Sequence, residues 1–591
     1  GSEAAKGQRP VRILRELQQC ADPAGAVTVT TLTTAGAGTI LFQNAGAGGV
    51  SFGTVSTTTD GSAADGEDDI RLSSDGGDLT ITTSVTADGL GDIIYDTTTS
   101  GDIELTGTST AGALVTMNSV GDIDGAGLVT APTVDLNAAT GIGATTPLEL
   151  AATTITADNS TSGNVDIDNA ATADVTLTSL TTTGAGSDLL FDSTGNFALN
   201  ITGAVTSSDD ITITNTGNLN TDTITIGAAV SSSTAGTITI SSLTRGDIAV
   251  NNTITTADGG TITLNSSDAI TVGAFAVNSG AAGTMNLNVD TNNNVAAILD
   301  LGGGTLTAFN INLDGGANTA TVERDTLIGQ NQANTWTLAV GDDDGTLANA
   351  SLSSTANFTD FHNLTGNANS DLFDFDGGSL SGNVDGQAGI NTLDYASLAG
   401  PISVTFNAAG ATGFNGAIAS TSQIGGTTSD ITALTGSAAA GSGAGGDTLT
   451  GINATGVWNV QAGNDTYVST NTLTFSGVEN LTGGTGGDTF LVTESHTGNL
   501  STGNGTNKIE LDSTTGAILT GNITGGTGAD SIFFGNDDGT DDNNNNFTMT
   551  GDIDGGAGTD TLDFLDSSLV FTVNNVNTSI PDIDGIEGTI T

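Results

Sequence analysis

The stretch from Ser208 to Asn265 decides the fold of this chain. It repeats one design, a turn followed by a short alternation of apolar residues with Thr: S-D-D-I-T-I-T-N from 208, T-D-T-I-T-I-G from 221, A-G-T-I-T-I-S from 235, R-G-D-I-A-V-N from 245 and G-G-T-I-T-L-N from 259. Strict alternation places the apolar residues, such as Ile211 and Ile213, on one face of a strand and Thr on the other. The stretch therefore predicts many short β-strands of one kind.

The spacing between these strands, roughly 11 to 14 residues, leaves no room for a crossover helix. A chain of 591 residues is too long for one compact core, but a coil of stacked turns needs only neighbouring turns to bury its inner face. Disorder is the competing interpretation of so much Gly, Thr, Asn and Asp, and 36% hydrophobic residues in regular alternation argue against it. We predict an all-β fold, an elongated parallel β-solenoid (β-helix) with a short N-terminal helical segment.

The charge is strongly acidic, with 66 Asp and Glu against 8 Lys and Arg, a net charge of −58. Such a surface repels nucleic acid and anionic membranes, so neither is an expected partner, and it attracts divalent cations. No apolar run is long enough to span a membrane. Cys20 is the only cysteine, so no disulfide can form within the chain. The composition fits an extracellular location.

Residues 1–24 depart from the repeat. Val11 to Cys20 is helix-prone, with Leu14 and Leu17 on one face. The segment also carries half of the basic residues of the chain, which are Lys6, Arg9, Arg12 and Arg15. Two compatible interpretations stay open: a cap over the first turn of the solenoid, or a basic plug that docks on the acidic end of another copy.

Residues 25–301 form the regular part, in which G-D-I or a variant recurs, as at Gly101-Asp102-Ile103 and Gly121-Asp122-Ile123. Together with T-V-D-L-N-A-A-T-G-I-G from 133, this cadence resembles the large repetitive bacterial surface proteins whose passengers are filamentous-haemagglutinin-like β-helices. The resemblance implies a right-handed coil with turns of about 20 residues. It carries little information about a ligand.

Residues 302–591 are less regular and contain an internal duplication of about 120 residues. D-T-L-I-G-Q-N-Q-A-N-T-W-T-L from 325 matches D-T-L-T-G-I-N-A-T-G-V-W-N-V from 447, which places Trp336 and Trp458 122 positions apart. A second pair of matching segments starts at Asn357 and Leu473. The region resembles the C-terminal modules of the same surface proteins, some of which are haemolysin-type and calcium-binding-like.

Three segments satisfy the nonapeptide G-G-x-G-x-D-x-U-x, and their acids are Asp488, Asp530 and Asp560. Asp465 belongs to a partial match. In the resembled haemolysin-type (RTX) repeats, such acids bind Ca²⁺ because consecutive copies stack. Here the copies are separated by about 30 to 40 residues, and one copy offers only part of the six to eight oxygens that Ca²⁺ requires. Bound calcium and metal-free Gly-Asp corners both stay open.

The function that the sequence favours is an extracellular structural β-solenoid, a subunit that assembles with itself head to tail into a surface filament through strand stacking and divalent ions. A monomeric surface adhesin that binds cell-surface or matrix glycans is the alternative. Catalysis of the polysaccharide-degrading kind is disfavoured, because His362, His496 and the basic residues beyond the N-terminus are scattered singly. Ice binding would require Thr-x-Thr on one flat face at every turn, and the sequence spacing of the repeats drifts.

Overall fold

The fold consists of β-strands and turns. A computed structural model describes residues 25–34, 38–57, 69–292, 296–316, 324–339, 341–418, 423–439, 445–535 and 546–563. Over these ranges there is no α-helix, and consequently no helix long and apolar enough to cross a membrane. The all-β prediction is confirmed, whereas the helical segment predicted within residues 1–24 lies outside the described residues. The chain divides into two compact units, 1–319 and 320–591.

The described residues of the first unit form 33 strands. They are β1 Val27–Thr33, β2 Ile40–Asn44, β3 Val50–Ser56, β4 Ile70–Gly76, β5 Leu79–Thr86, β6 Ile93–Ser100, β7 Ile103–Leu105, β8 Thr108–Thr110, β9 Leu114–Asn118, β10 Asp122–Asp124, β11 Val129–Thr130, β12 Thr133–Ala138, β13 Gly141–Ile142, β14 Leu148–Ala151, β15 Thr154–Asn159, β16 Val165–Ala170, β17 Val175–Thr182, β18 Leu189–Thr194, β19 Leu199–Ile201, β20 Val205–Ser207, β21 Ile211–Asn215, β22 Ile224–Ile226, β23 Val230–Ser232, β24 Thr237–Ser242, β25 Ile248–Val250, β26 Ile254–Thr255, β27 Thr261–Ser266, β28 Ala269–Val272, β29 Ala276–Asn278, β30 Thr284–Asn288, β31 Ile298–Asp300, β32 Thr305–Thr307 and β33 Asn310–Asp314.

Strands of this unit pair in parallel with strands one turn away, which is the arrangement of a coil. From β18 onwards each turn supplies three strands, so that β21 pairs with β24, β22 with β25 and β23 with β26. Ile211 is the register partner of Ile238, and Ile238 of Ile262, so these two turns are 27 and 24 residues long. The geometry is consistent with a β-solenoid.

The core is a column of alternating apolar side chains. Ile213, Ile240, Leu264 and Leu287 occupy successive levels of one sheet and are fully buried. Burial of each such side chain contributes about 1.5–3 kcal/mol. The alternation seen in the sequence is therefore what fixes the register, because a slip of one residue would expose the whole column.

Gly-Asp corners stack on one another between turns. Asp102 N–H donates to Asp78 Oδ1 (3.1 Å), and Asp122 N–H donates to Asp102 Oδ1 (3.0 Å). Gly101 has a φ of +109°, and a Cβ at this position would collide with the backbone of Gly77. Glycine is required here because the turns approach each other closely and the backbone adopts a conformation that other residues avoid.

In the second unit, 27 strands lie within the ranges that the structure describes. They are β34 Thr326–Ile328, β35 Thr335–Leu338, β36 Gly345–Ala348, β37 Ala356–Thr359, β38 Asn363–Thr365, β39 Leu372–Phe375, β40 Val384–Asp385, β41 Thr392–Asp394, β42 Ser403–Ala409, β43 Phe414–Ile418, β44 Thr427–Ile431, β45 Ala433–Thr435, β46 Thr448–Thr450, β47 Val457–Val460, β48 Asp465–Val468, β49 Thr472–Ser476, β50 Asn480–Thr482, β51 Thr489–Val492, β52 His496–Thr497, β53 Leu500–Ser501, β54 Lys508–Leu511, β55 Ile518–Thr520, β56 Ile523–Thr524, β57 Ser531–Phe533, β58 Thr548–Thr550, β59 Ile553–Asp554 and β60 Thr561–Asp563.

The parallel stack of this unit is interrupted three times by a reversed strand, which corrects the prediction of a purely parallel coil. β36, β43 and β48 each run antiparallel to the strands on both sides. The physical reason is loop length: four residues separate β47 from β48 and three separate β48 from β49, and only antiparallel neighbours can be joined so tightly.

The two duplicated segments share one strand order. The strands β34–β39 of the first segment correspond one to one with β46–β51 of the second. Each segment contains one reversed strand, β36 in the first and β48 in the second. Trp336 stacks on Phe373 (centroids 6.0 Å apart, planes at 5°), and Trp458 stacks on Phe490 (5.4 Å, 5°). Below, the segment 325–375 is called module 1 and the segment 447–492 is called module 2.

Candidate metal-binding and assembly sites

Three of the four acids predicted to bind metal lie in one column at the start of strands β51, β57 and β60. An asparagine completes the column, because Asp488 N–H donates to Asn507 Oδ1 (2.8 Å) and Asn507 N–H donates to Asp530 Oδ1 (3.0 Å). Asp530 N–H then donates to Asp560 Oδ1 (3.0 Å). The side chains of Asn507, Asp530 and Asp560 thus each accept the backbone N–H of the preceding residue in the column. This column of Asp488, Asn507, Asp530 and Asp560 is called the Asx column below.

The acids of the Asx column also close their own glycine loops. Asp488 Oδ2 accepts the N–H of Gly484 (2.9 Å), and Asp530 Oδ2 accepts the N–H of Gly526 (3.2 Å). Backbone N–H groups therefore occupy carboxylate oxygens that a cation would need. Calcium at these residues stays a prediction, and the geometry leaves it few free oxygens against the six to eight that Ca²⁺ takes.

Asp465, the fourth predicted ligand, does not join the column. It lies at the start of the reversed strand β48, where its Oδ1 accepts the N–H of Gln461 (3.1 Å). Burial raises the pKa of this carboxyl above its usual range. Its position on an antiparallel strand separates it from the Gly-Asp corners, and the partial sequence match did not reveal that reversal.

Asp488 is fully buried, and its Oδ1 makes no hydrogen bond of ordinary geometry, although the N–H of Gly456 approaches the carboxylate. This oxygen faces Gly456 and lies near the hydroxyl of Tyr467. Burial raises the pKa of Asp488 to about 6, against the lowering effect of its bonds to backbone N–H groups. An unpaired buried carboxylate oxygen is costly, so this carboxyl holds its proton more tightly than an exposed one.

Module 1 handles the equivalent acid differently. Asp371 corresponds to Asp488, and its Oδ1 accepts both the backbone N–H (3.0 Å) and the side-chain Nδ2–H (2.7 Å) of Asn334. Gly456 occupies the position of Asn334 in module 2, and Tyr467 occupies that of Leu347. A Cβ at Gly456 would collide with the Tyr467 ring. In module 2 the ring of Tyr467 therefore occupies the space that the side-chain amide of Asn334 occupies in module 1, but it does not replace the hydrogen bond that this amide donates to the acid.

A second acidic cluster, which the metal prediction did not include, lies on the outer face of the first unit. Carboxylate oxygens of Asp102, Glu104 and Asp122 lie within 4.8 Å of one another. Burial first, and then the charges of Asp102 and Asp124, raise the pKa of Asp122 to about 6. Burial and the surrounding acids also raise the pKa of Glu104. The G-D-I repeats at 101 and 121, 20 residues apart, were the sequence signal for this stacking. Among the described residues, these three could contribute oxygens to a divalent cation.

The two histidines join turns to each other and are not isolated side chains. Asp325 N–H donates to His362 Nδ1 (3.3 Å), and His362 Nε2 lies 4.0 Å from Asp343 Oδ2. His496 Nε2 lies 2.7 Å from the Glu479 carbonyl oxygen, and burial holds the pKa of His496 below its usual range. Both rings are used within the fold.

The first and last strands present edges where the core is incompletely covered. Val29 and Leu32 of β1 are partly exposed, although the residues that pair with them in β3 are fully buried. Ile553 and Leu562, in β59 and β60, are likewise partly exposed, although Ile523 is fully buried. Within the described ranges, β1 pairs only with β3 and β60 only with β57. The predicted assembly residues Lys6, Arg9, Arg12, Leu14, Arg15 and Leu17 lie outside these ranges.

No protein-family model matches this chain, and a search of curated proteins finds no match to it. Function is therefore inferred from residues and their geometry.

Proposed function

We propose that this chain is an extracellular structural protein, a right-handed β-solenoid whose copies join end to end into a surface filament. The observation that carries the proposal is the pair of partly covered edges at β1 and β60. Among the described residues each of these strands has one paired neighbour, and a parallel strand at the edge of a sheet can accept a further parallel strand. Because the two edges differ, their contact is heterologous and continues from copy to copy without closing.

Charge complementarity supports the same contact. The segment 1–24 contains Lys6, Arg9, Arg12 and Arg15, while the last described turns contain Asp552, Asp554 and Asp560. Opposite charges at the two ends favour head-to-tail association over head-to-head association. Leu14 and Leu17 would contribute apolar contact area to the partly exposed Ile553 and Leu562 of the next copy.

Divalent cations have a supporting role in this proposal. Copies with a net charge of −58 repel each other at low ionic strength, and bound cations reduce this repulsion. Asp102, Glu104 and Asp122 are the residues where three carboxylates already lie close together.

Electron microscopy of negatively stained full chain tests the proposal, with Ca²⁺ and with a chelator. We expect filaments from the full chain, shortened or lost in a variant that begins at residue 25. A full-length variant with Lys6, Arg9, Arg12 and Arg15 changed to Gln separates the effect of charge from that of length. Isolated particles under every condition would contradict self-assembly and favour the monomeric adhesin.

A further inference from the structure

The outer face of β21, β24, β27, β30 and β33 is a regular polar array. Its central file, one residue from each strand, consists of Thr212, Thr239, Thr263, Asn286 and Asn312. Along β24, β27 and β30 the outward residues on both sides of this file are again Thr, Ser or Asn, and acids flank the file only at its ends, Asp210 beside Thr212 and Asp314 beside Asn312. The five residues of the file are all partly exposed.

The array is regular although the sequence is not. Successive residues of the file are 27, 24, 23 and 26 positions apart in the sequence. This uneven spacing is why the sequence alone argued against a regular Thr face. The four strand pairings are nevertheless in continuous register, without a bulge. Differences in turn length are absorbed at the corners, so the face itself keeps its spacing.

Hydrogen bonds across the strands hold the amide side chains in place. Asn286 Nδ2–H donates to Thr263 Oγ1 (3.2 Å), and Asn312 Nδ2–H donates to Asn286 Oδ1 (2.9 Å). In the next file, Asn288 Nδ2–H donates to Asn265 Oδ1 (2.8 Å). β-Branched threonine is stiff as well, so little side-chain entropy remains to be lost when a ligand binds.

The absence of charge on the array restricts the ligand. The net charge of the chain is −58, yet the outward positions of β24, β27 and β30 carry no acid or base. They carry no aromatic ring for stacking, and the array lies on the outer face of a continuously paired sheet, whereas sites for small soluble ligands are concave. An uncharged and periodic face fits a ligand that is itself uncharged and periodic.

We propose that this array binds the surface of ice. Its files are spaced by about 4.8 Å from strand to strand and about 6.7 Å between alternate residues of a strand. Water oxygens on the prism face of hexagonal ice repeat at spacings close to both. Threonine hydroxyls and asparagine amides can join that lattice as hydrogen-bonding groups, while threonine methyls fill the spaces between them. Many weak contacts made at once give durable adsorption.

Measurements of ice growth in solutions of the full chain test this proposal. We expect the wild type to show thermal hysteresis and to inhibit ice recrystallisation. Thr239→Tyr, which raises a large ring above the centre of the array, should lose most of both effects. Thr225→Tyr is the matched control, because Thr225 is likewise a partly exposed outward residue, on β22 in the other sheet and in the preceding turn. It should retain wild-type activity.

Thr239→Val keeps the shape of the side chain and removes only its hydroxyl, so it should reduce the effects less than tyrosine does. Circular dichroism verifies that each variant is folded. A wild type without effect on ice growth, or equal effects of Thr239→Tyr and Thr225→Tyr, would overturn the proposal. Sedimentation identifies the competing role: if Thr239→Tyr abolishes lateral association of copies and leaves ice growth unchanged, the array binds a second copy instead.

Discussion

At the scale of single residues, the two modules show how one buried acid is satisfied in one place and not in another. Asp371 receives two well-formed hydrogen bonds from Asn334, whereas Asp488 Oδ1 faces Gly456, which has no side chain to donate and whose N–H approaches the carboxylate without ordinary hydrogen-bond geometry. The duplication could be recognised from the sequence. The difference in hydrogen bonding could not, because it depends on Tyr467 entering the space above Gly456 from another strand.

The first prediction concerns Asp488→Asn. The raised pKa, about 6 against an ordinary value near 4, means that the folded state binds this proton more tightly than the unfolded state. The wild-type carboxyl therefore favours folding most at pH below 4, and this contribution is lost as the pH rises through 6. We expect Asp488→Asn to stabilise the second unit by about 1–3 kcal/mol at pH 8, since an uncompensated buried charge is removed.

Tryptophan fluorescence measures this effect, because Trp336 and Trp458, the only two tryptophans, both lie in the second unit and are fully buried. Urea midpoints should be recorded at pH 4 and pH 8. Asp371→Asn is the matched control: burial raises the pKa of Asp371 too, but bonds from Asn334 and Asn367 oppose this and would be disrupted, so at pH 8 its midpoint should lie below that of Asp488→Asn. A lower midpoint for Asp488→Asn than for wild type at pH 8 would contradict the prediction.

A second prediction concerns a variant of module 2 that carries the residues of module 1 at positions 456 and 467. In the double variant Gly456→Asn with Tyr467→Leu, the new amide should donate to Asp488 Oδ1 as Asn334 does to Asp371. We expect the difference in urea midpoint between pH 4 and pH 8 to shrink, because a donor favours the ionised carboxylate. Gly456→Asn alone should destabilise, because its side chain collides with Tyr467. If the urea midpoint of the double variant differs between pH 4 and pH 8 as much as that of wild type, the missing donor to Asp488 Oδ1 is not the cause of the pH dependence.

At the scale of strands and turns, the sequence predicted much of the fold. Alternation in segments such as Ile211–Asn215 indicated both the strand and its buried face, and the structure has both. Strand direction was not predictable in the same way. The reversed strand Asp465–Val468 alternates like its parallel neighbours, and only the short loops beside it distinguish it. Direction is set by which strand a turn can reach, which alternation does not encode.

The Asx column gives a prediction at this scale. Asn507 is buried, accepts the Asp488 N–H and donates its Nδ2–H to Asp530 Oδ1 (2.9 Å). Asn507→Ala leaves these partners unsatisfied, and we expect a loss of about 3 kcal/mol in the stability of the second unit. Asn504→Ala is the control, since Asn504 makes an exposed bond to Thr527 and should cost little. The urea midpoint by tryptophan fluorescence decides between them, and similar midpoints for both variants would refute a stabilising role for the column.

At the scale of the whole molecule, net charge was the most informative property of the sequence, but it did not identify a site. Asp488, Asp530 and Asp560 were singled out because they fit a metal-binding motif, yet the structure uses an oxygen of Asp488 to close its own loop and oxygens of Asp530 and Asp560 to hold turns together. Asp102 and Asp122 belong to the G-D-I repeat, which is not a metal-binding motif, and they lie close to Glu104 because two turns stack in register. A motif describes one segment, whereas a cluster depends on the lengths of the turns between segments.

The last prediction follows from the charge of −58. Raising the ionic strength from about 0.01 M to about 0.15 M shortens the screening length from about 30 Å to about 8 Å, so repulsion between distant acids falls and the melting temperature should rise. CaCl₂ should raise it further than NaCl of equal ionic strength, because close carboxylates attract a divalent ion more strongly. Glu104→Gln should reduce this extra gain, since it removes one acid of the cluster. Glu149→Gln, at an exposed position of β14, should leave it unchanged. Calorimetry on wild type, Glu104→Gln and Glu149→Gln in each of the two salts measures these shifts. Equal melting temperatures in the two salts would mean that the acids respond to screening alone and that divalent ions have no specific part in the filament.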